Sequence, residues 1–149
     1  MPLILFILAF YPFGAASADG TVESLDTCFV SAAQRYGLNT NLLKAIAVTE
    51  NAALDPGAIN RNTEHGSVDV GIMQINSYWW GKLKEFGLSP ADLLDPCVSI
   101  HVGAWILAQN IQVHGNNWES VGAYNAKSSA KRYRYATKVK KNLARITGR

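Results

Sequence analysis

One carboxylate sits where a carboxylate is costly. Glu50 ends the run LKAIAVTE, seven residues after Leu43 and four after Ile46. On a helix it therefore shares a face with Leu43, Ile46 and Ala47, the side that packs inward. It also falls in the last turn before Asn51 and the Asp55-Pro56-Gly57 break, where the negative end of the helix dipole opposes its charge by roughly 0.3 to 1 kcal/mol. Partial burial adds a desolvation penalty of the same sign. Both effects raise the pKa, and a carboxyl that keeps its proton near neutral pH is equipped for general acid catalysis. The competing reading is a surface Glu in a frayed final turn, which would do no chemistry.

The elements that must position this group are mostly helices. Ser24 to Tyr36 has Cys28, Ala32 and Tyr36 at helical spacing and stops at Gly37. A second helix starts at Thr40 or Asn41 as N-cap and carries Glu50 at its end. SYWWGKLKEFG reads as a third, capped by Ser77 and closed by Gly87. Asp95 as N-cap with Pro96 at the first helical position opens a fourth that runs to Gly115. Asn116 and Glu119 stand in capping-box spacing for a fifth, and Tyr135, Val139, Leu143 and Ile146 form one apolar stripe on a last helix. Only residues 53 to 76 resist this pattern. They are rich in turn formers, and Val68, Val70 and Ile72 alternate with Asp69 and Gly71 in the period of a strand. A helical body with one small loop or hairpin region is an α-rich α+β architecture, and the irregular segment is the natural wall of a cleft.

Composition bounds the rest. A chain of 149 residues, 48% hydrophobic and 17% charged, makes one domain with a real core. Residues 1–18, MPLILFILAFYPFGAASA, are apolar, lack a charged side chain and end in an Ala-x-Ala pattern. They read as a secretory signal peptide, with a retained membrane anchor as the alternative; the apolar run before Pro12 is short for a bilayer span. The remaining residues, 19–149, form the single domain. Cys28 and Cys97 are the only cysteines, and in an exported chain one disulfide is the natural reading, two buried thiols the other. The net charge of +3 hides an asymmetry: from Lys127 onward there are nine Lys or Arg and no acid, against five basic and eleven acidic residues before it. Such a basic tail suits anionic lipid, the carboxylates of glycan-linked peptides or an acidic partner, or is simply a solvated face. Sequence-specific nucleic-acid binding does not fit an exported protein. His65, His101 and His114 lack metal-ligand spacing, and neither a GxSxG elbow nor a phosphate-binding glycine loop occurs, so no metal or cofactor is expected.

Three landmarks then combine: Glu50 in AIAVTEN, DVGIMQIN at 69 to 76, and GAYNA at 122 to 126. In order and spacing they resemble the catalytic domain of the soluble lytic transglycosylases, of the lysozyme-like superfamily. The two cysteines, YWW and HVGAWIL resemble the small single-domain branch that accompanies type III and type IV secretion, conjugation and type IV pilus systems. Coverage runs from about Cys28 to the last helix.

The resemblance implies cleavage of the β-1,4 bond between N-acetylmuramic acid and N-acetylglucosamine in peptidoglycan. Glu50 would protonate the glycosidic oxygen and then, as carboxylate, deprotonate the C6 hydroxyl that closes a 1,6-anhydromuramoyl end. Tyr124 would stand near Glu50 and help set its protonation. Gln74 and the backbone around Met73 would hold the N-acetyl sugars, Asn125 would support that wall, and Asn51 would lie beside the substrate. Two positions depart from the pattern: Asn51 stands where Ser is common, and Lys127 where Gly often ends the AYNAG motif. Asp69 is a candidate second carboxylate. Separations of about 5 to 5.5 Å accompany retaining glycosidases and about 6.5 to 9.5 Å inverting ones, so with Glu50 it would make a lysozyme-type hydrolase; a structural Asp69 is the alternative. Trp79, Trp80 and Trp118 are candidates for stacking on sugars, and Trp105 for the core. The expected setting is the periplasm, as a monomer, with an envelope machine as partner and membrane contact through the basic last helix. From a different class, the competing hypothesis is a cationic peptidoglycan-binding module without catalysis.

Overall fold

A computed structural model of the protein describes residues 24–149, and the expected signal peptide at 1–18 lies outside the described residues. The chain runs α1 (Leu25–Tyr36), α2 (Thr40–Glu50), β1 (Ile59–Asn62), β2 (Ser67–Val70), β3 (Ile75–Asn76), a 3-10 turn (Ser77–Trp79), α3 (Trp80–Glu85), a second 3-10 segment (Pro90–Leu94), α4 (Pro96–His114), α5 (Trp118–Gly122) and α6 (Ser129–Thr147). This is the expected predominantly helical α+β fold, with one small antiparallel sheet in the order β1-β2-β3.

The spine is α4. Ile100, Val102, Ala104, Trp105, Ile106 and Leu107 are all buried along it, as befits a helix that is apolar around much of its circumference. It packs against α1 and α5, while α6 lies across α2 and α5. Cys28 of α1 and Cys97 of α4 form a disulfide with a Cα–Cα distance of 5.1 Å. The bridge joins residues 69 apart, and on the loop-entropy model closing a loop of that length is worth about 4 kcal/mol. No helix among the described residues is long and apolar enough to cross a membrane.

Helix ends differ from the sequence expectation where a nearby polar side chain competes for the cap. Asn39, not Thr40 or Asn41, caps α2 by accepting from Leu42 N–H. Asn117, not Asn116, caps α5 by accepting from the N–H groups of Glu119 and Ser120. Asn76 rather than Ser77 caps the turn before α3, because the Ser77 hydroxyl is taken by Val68 N–H at 3.1 Å. The expected alternation holds only to Val70. Gly71 then turns with φ +81°, and a Cβ there would collide with the Leu93 carbonyl oxygen. Ile72 consequently drops into the core inside a turn.

Candidate active site

Glu50 is the last residue of α2, and α6 crosses directly over it. The Tyr135 hydroxyl of α6 donates to Glu50 Oε1 at 2.5 Å, and the Asn125 side chain hydrogen-bonds the same carboxylate. One residue earlier, Thr49 accepts from the Asn142 amide at 2.9 Å, so α2 and α6 are pinned at two successive positions. Burial pushes the Glu50 pKa from an ordinary 4.5 up to about 7 and outweighs the opposing pull of the Tyr135 hydrogen bond; the Asp69 charge adds to the rise, and Asn125 and Lys138 reduce it. At neutral pH the group is therefore close to half protonated, so both its acid and base forms are populated.

The carboxyl opens on a cleft of ≈ 310 Å³ whose walls also include Asp69, Asn76, Trp79, Tyr124 and Asn125. Asp69 reaches it by strand alternation: its neighbour Val70 is buried, and Asp69 pairs across the sheet with Asn60 and Asn76. Asn76 donates to Asp69 Oδ1 at 2.8 Å while its own carbonyl oxygen caps Tyr78 N–H. That one amide thus fixes both the second carboxylate and the start of the aromatic wall. Trp79 is held from behind by Trp105, edge to face at 5.4 Å between centroids.

Several sequence expectations are redirected. Tyr124 lies in the cleft wall, but its hydroxyl donates to the Met73 carbonyl at 3.1 Å. Its ring stacks on Tyr135 at 6.4 Å between centroids. Burial, and then the Glu50 and Asp69 charges, push its pKa up, so the ring stands near both carboxyls. Met73 is fully buried; its carbonyl accepts from Tyr124 and its N–H donates to Ser99, so its backbone is fixed in the wall of the site. Gln74 borders the cleft at φ +49°. Both of its amide hydrogens are committed, to Gly71 O and Ala58 O, and its oxygen accepts from Asn60 at 2.6 Å. It braces the bend between β2 and β3. Asn51 closes the loop after α2 through Asp55, donating to its carbonyl at 2.7 Å and accepting from its N–H, and is not part of the cleft wall. Asn125 does line the cleft beside Glu50.

The residue missed in the sequence is Tyr135. It was absorbed into the apolar stripe with Val139, and the signal that could have found it is that a tyrosine in a buried stripe must place its hydroxyl on a partner. Gly103 was also missed. A Cβ there would stand 2.6 Å from Met73 Cε and 2.9 Å from the Tyr124 hydroxyl, so glycine lets α4 approach the floor of the site.

Comparison with known proteins adds the family. The family described as Transglycosylase SLT domain matches residues 27–145. This chain belongs to that family. As a member of the transglycosylase SLT domain family it is a peptidoglycan lytic transglycosylase. The SLT domain is 44% identical over 126 residues to invasion protein IagB of Salmonella typhimurium, covering 81% of this chain and 78% of that protein. It is 40% identical over 124 residues to protein IpgF of Shigella flexneri, covering 80% of each. Among solved structures, an inactive mutant of lytic transglycosylase Slt from Pseudomonas aeruginosa superposes with a TM-score of 0.64 at 22% identity. That match covers 81% of this chain and 23% of the larger one, and it speaks to the fold.

Proposed function

We propose that Glu50 is the acid and then the base of the reaction, cutting the β-1,4 bond between N-acetylmuramic acid and N-acetylglucosamine and leaving 1,6-anhydromuramoyl ends. The observation that carries this reading is a cleft-facing carboxyl whose pKa is about 7 and whose oxygen is held by Tyr135. The protonated form gives its proton to the glycosidic oxygen as the C1–O bond breaks. The carboxylate then takes the proton of the C6 hydroxyl of the same muramoyl residue as that oxygen bonds to C1. Donor and acceptor are one group, so protons balance without an activated water. Tyr135 and Asn125 supply hydrogen bonds that favour the ionised form, stabilising the group after it has given up its proton. Trp79 offers an aromatic face to a sugar ring in the cleft.

A second reading rests on Asp69, which lines the same cleft and whose charge reaches Glu50. In that reading Asp69 stabilises an oxocarbenium ion or activates water, and the product has a reducing end. Digestion of purified peptidoglycan followed by mass analysis of the muropeptides separates the two: anhydro ends support the first and reducing ends sink it. Glu50→Gln should abolish either activity with the fold intact, and full activity in that variant would refute both.

The names of relatives support a proposal for the setting. Invasion protein IagB is named for invasion, and we assign this enzyme to local opening of the wall for an envelope-spanning secretion, conjugation or pilus machine. Residues 1–18 serve as a signal peptide cleaved after Ala18, delivering residues 19–149 to the periplasm. Amino-terminal sequencing of the exported protein tests that boundary; a chain retaining Met1 would refute it.

A further inference from the structure

On α6, Lys131, Arg134, Lys138, Lys141 and Arg145 recur at intervals of three, four, three and four residues. That period keeps all five on one face, along about 21 Å of helix at 1.5 Å per residue. All five are exposed. The helix has no acid of its own, and among the described residues its one ion pair is Arg132 with Glu119, on the side facing α5. Lys140 also faces α5, over the Trp118 ring at 4.7 Å. The stripe lies on the other flank, beside the contacts of Tyr135 with Glu50 and Asn142 with Thr49. Lys138 is one turn from Tyr135 and close enough for its charge to act on Glu50. A row of unpaired cations thus begins at the catalytic end of α2.

Like charges one turn apart repel, so a spacing this regular, with no counter-charge on its own helix, calls for an anionic ligand of matching length. A lipid surface is the less suitable occupant. Helices that lie on membranes insert an apolar face, and the apolar face of α6, Tyr135, Ala136 and Val139, is spent in the core. The polymer that enters the cleft carries its own anions, the carboxylates of the peptide stems on alternate sugars.

We propose that the α6 stripe is a subsite for the carboxylates of peptidoglycan peptide stems, making the enzyme selective for strands that still carry their peptides. This rests on the peptidoglycan reading of the cleft above. Exposed cations of this kind act through charge at a distance, so their contribution is screened by salt.

The test uses Lys131→Gln/Arg134→Gln/Lys141→Gln/Arg145→Gln together, leaving Lys138 in place because it touches the charge balance of Glu50. Affinity is measured by calorimetry for soluble glycan strands with their stems and for the same strands stripped by an amidase. The native enzyme should bind the stem-bearing strands at least about tenfold more tightly at low salt. The fourfold variant should lose that preference, as should the native enzyme at high salt, with affinity for stripped strands changed less than about twofold. An unchanged preference in the variant would overturn the proposal. So would a variant that keeps the preference but no longer sediments with vesicles of anionic phospholipid, a result that assigns the stripe to a membrane. Turnover of stem-bearing strands is read separately: its absence in the native enzyme counts against the assigned reaction, while the binding ratio still decides the stripe.

Discussion

Replacing Glu50 by Gln separates what this residue costs the fold from what it gives the reaction. Its pKa stands at about 7 in the folded chain against an ordinary 4.5, so the native state binds more protons than the unfolded state between those values. The stability linked to Glu50 is complete below pH 4.5 and is lost as the pH rises through 7. At 1.36 kcal/mol per pK unit, ionised Glu50 costs the fold about 3 kcal/mol above pH 8, and less than about 1 kcal/mol at pH 5. Residual exposure lowers the high-pH figure to about 2 to 3 kcal/mol. Gln keeps an oxygen for Tyr135 and carries no charge, so Glu50→Gln should be inactive yet more stable than the native enzyme at pH 8. At about 4 °C per kcal/mol for a domain of this size, the gain in Tm is about 8 to 12 °C. Calorimetric melts of both proteins from pH 5 to 9 make the comparison. A constant difference in Tm across that range would refute the argument that burial sets the pKa of this group.

The remaining predictions concern the partners of Glu50 and the frame around it. Tyr135→Phe removes a hydrogen bond that favours the ionised form; the alkaline limb of kcat/KM should move to higher pH and kcat should fall about tenfold, the loss of roughly 1.5 kcal/mol for a charged hydrogen bond. Asp69→Asn removes a charge that raises the Glu50 pKa, so the same limb should move to lower pH, and a limb that stays put would show the two carboxylates to be uncoupled. Gly103→Ala should destabilise by about 1 to 3 kcal/mol through overpacking against Met73 and Tyr124, read as a lower denaturant midpoint together with reduced turnover. Cys28→Ser with Cys97→Ser should cost about 2 to 5 kcal/mol, and the difference from the native protein should vanish when melts are repeated under reducing conditions.

The helices were legible because their signals are local: Asp95-Pro96 opens α4, Gly37 and Gly87 end their segments in left-handed conformations, and apolar spacing marks the inner faces. Caps slipped by a residue where two polar side chains compete within one turn, as at Asn76 and Ser77. Glu50 was legible from helical phase alone, since phase predicts burial and burial moves a pKa. Its partner was not. Tyr135 lies 85 residues away, and nothing in its own neighbourhood says which buried group its hydroxyl will meet. The same holds for Gln74 and Met73, whose motif is readable but whose hydrogen-bond partners in the wall are not.

The contact between Tyr135 and Glu50 also orders events in time. Glu50 comes early, near the start of the described chain, while the helix that covers it is the last of the described elements. Until α6 has docked, the carboxyl lacks the Tyr135 hydrogen bond and the cover of the helix that crosses it. A chain cut short before Ser129 keeps the residues that line the cleft and loses the helix that holds the carboxyl. Docking of α6 is thus the step that joins the two halves of the site.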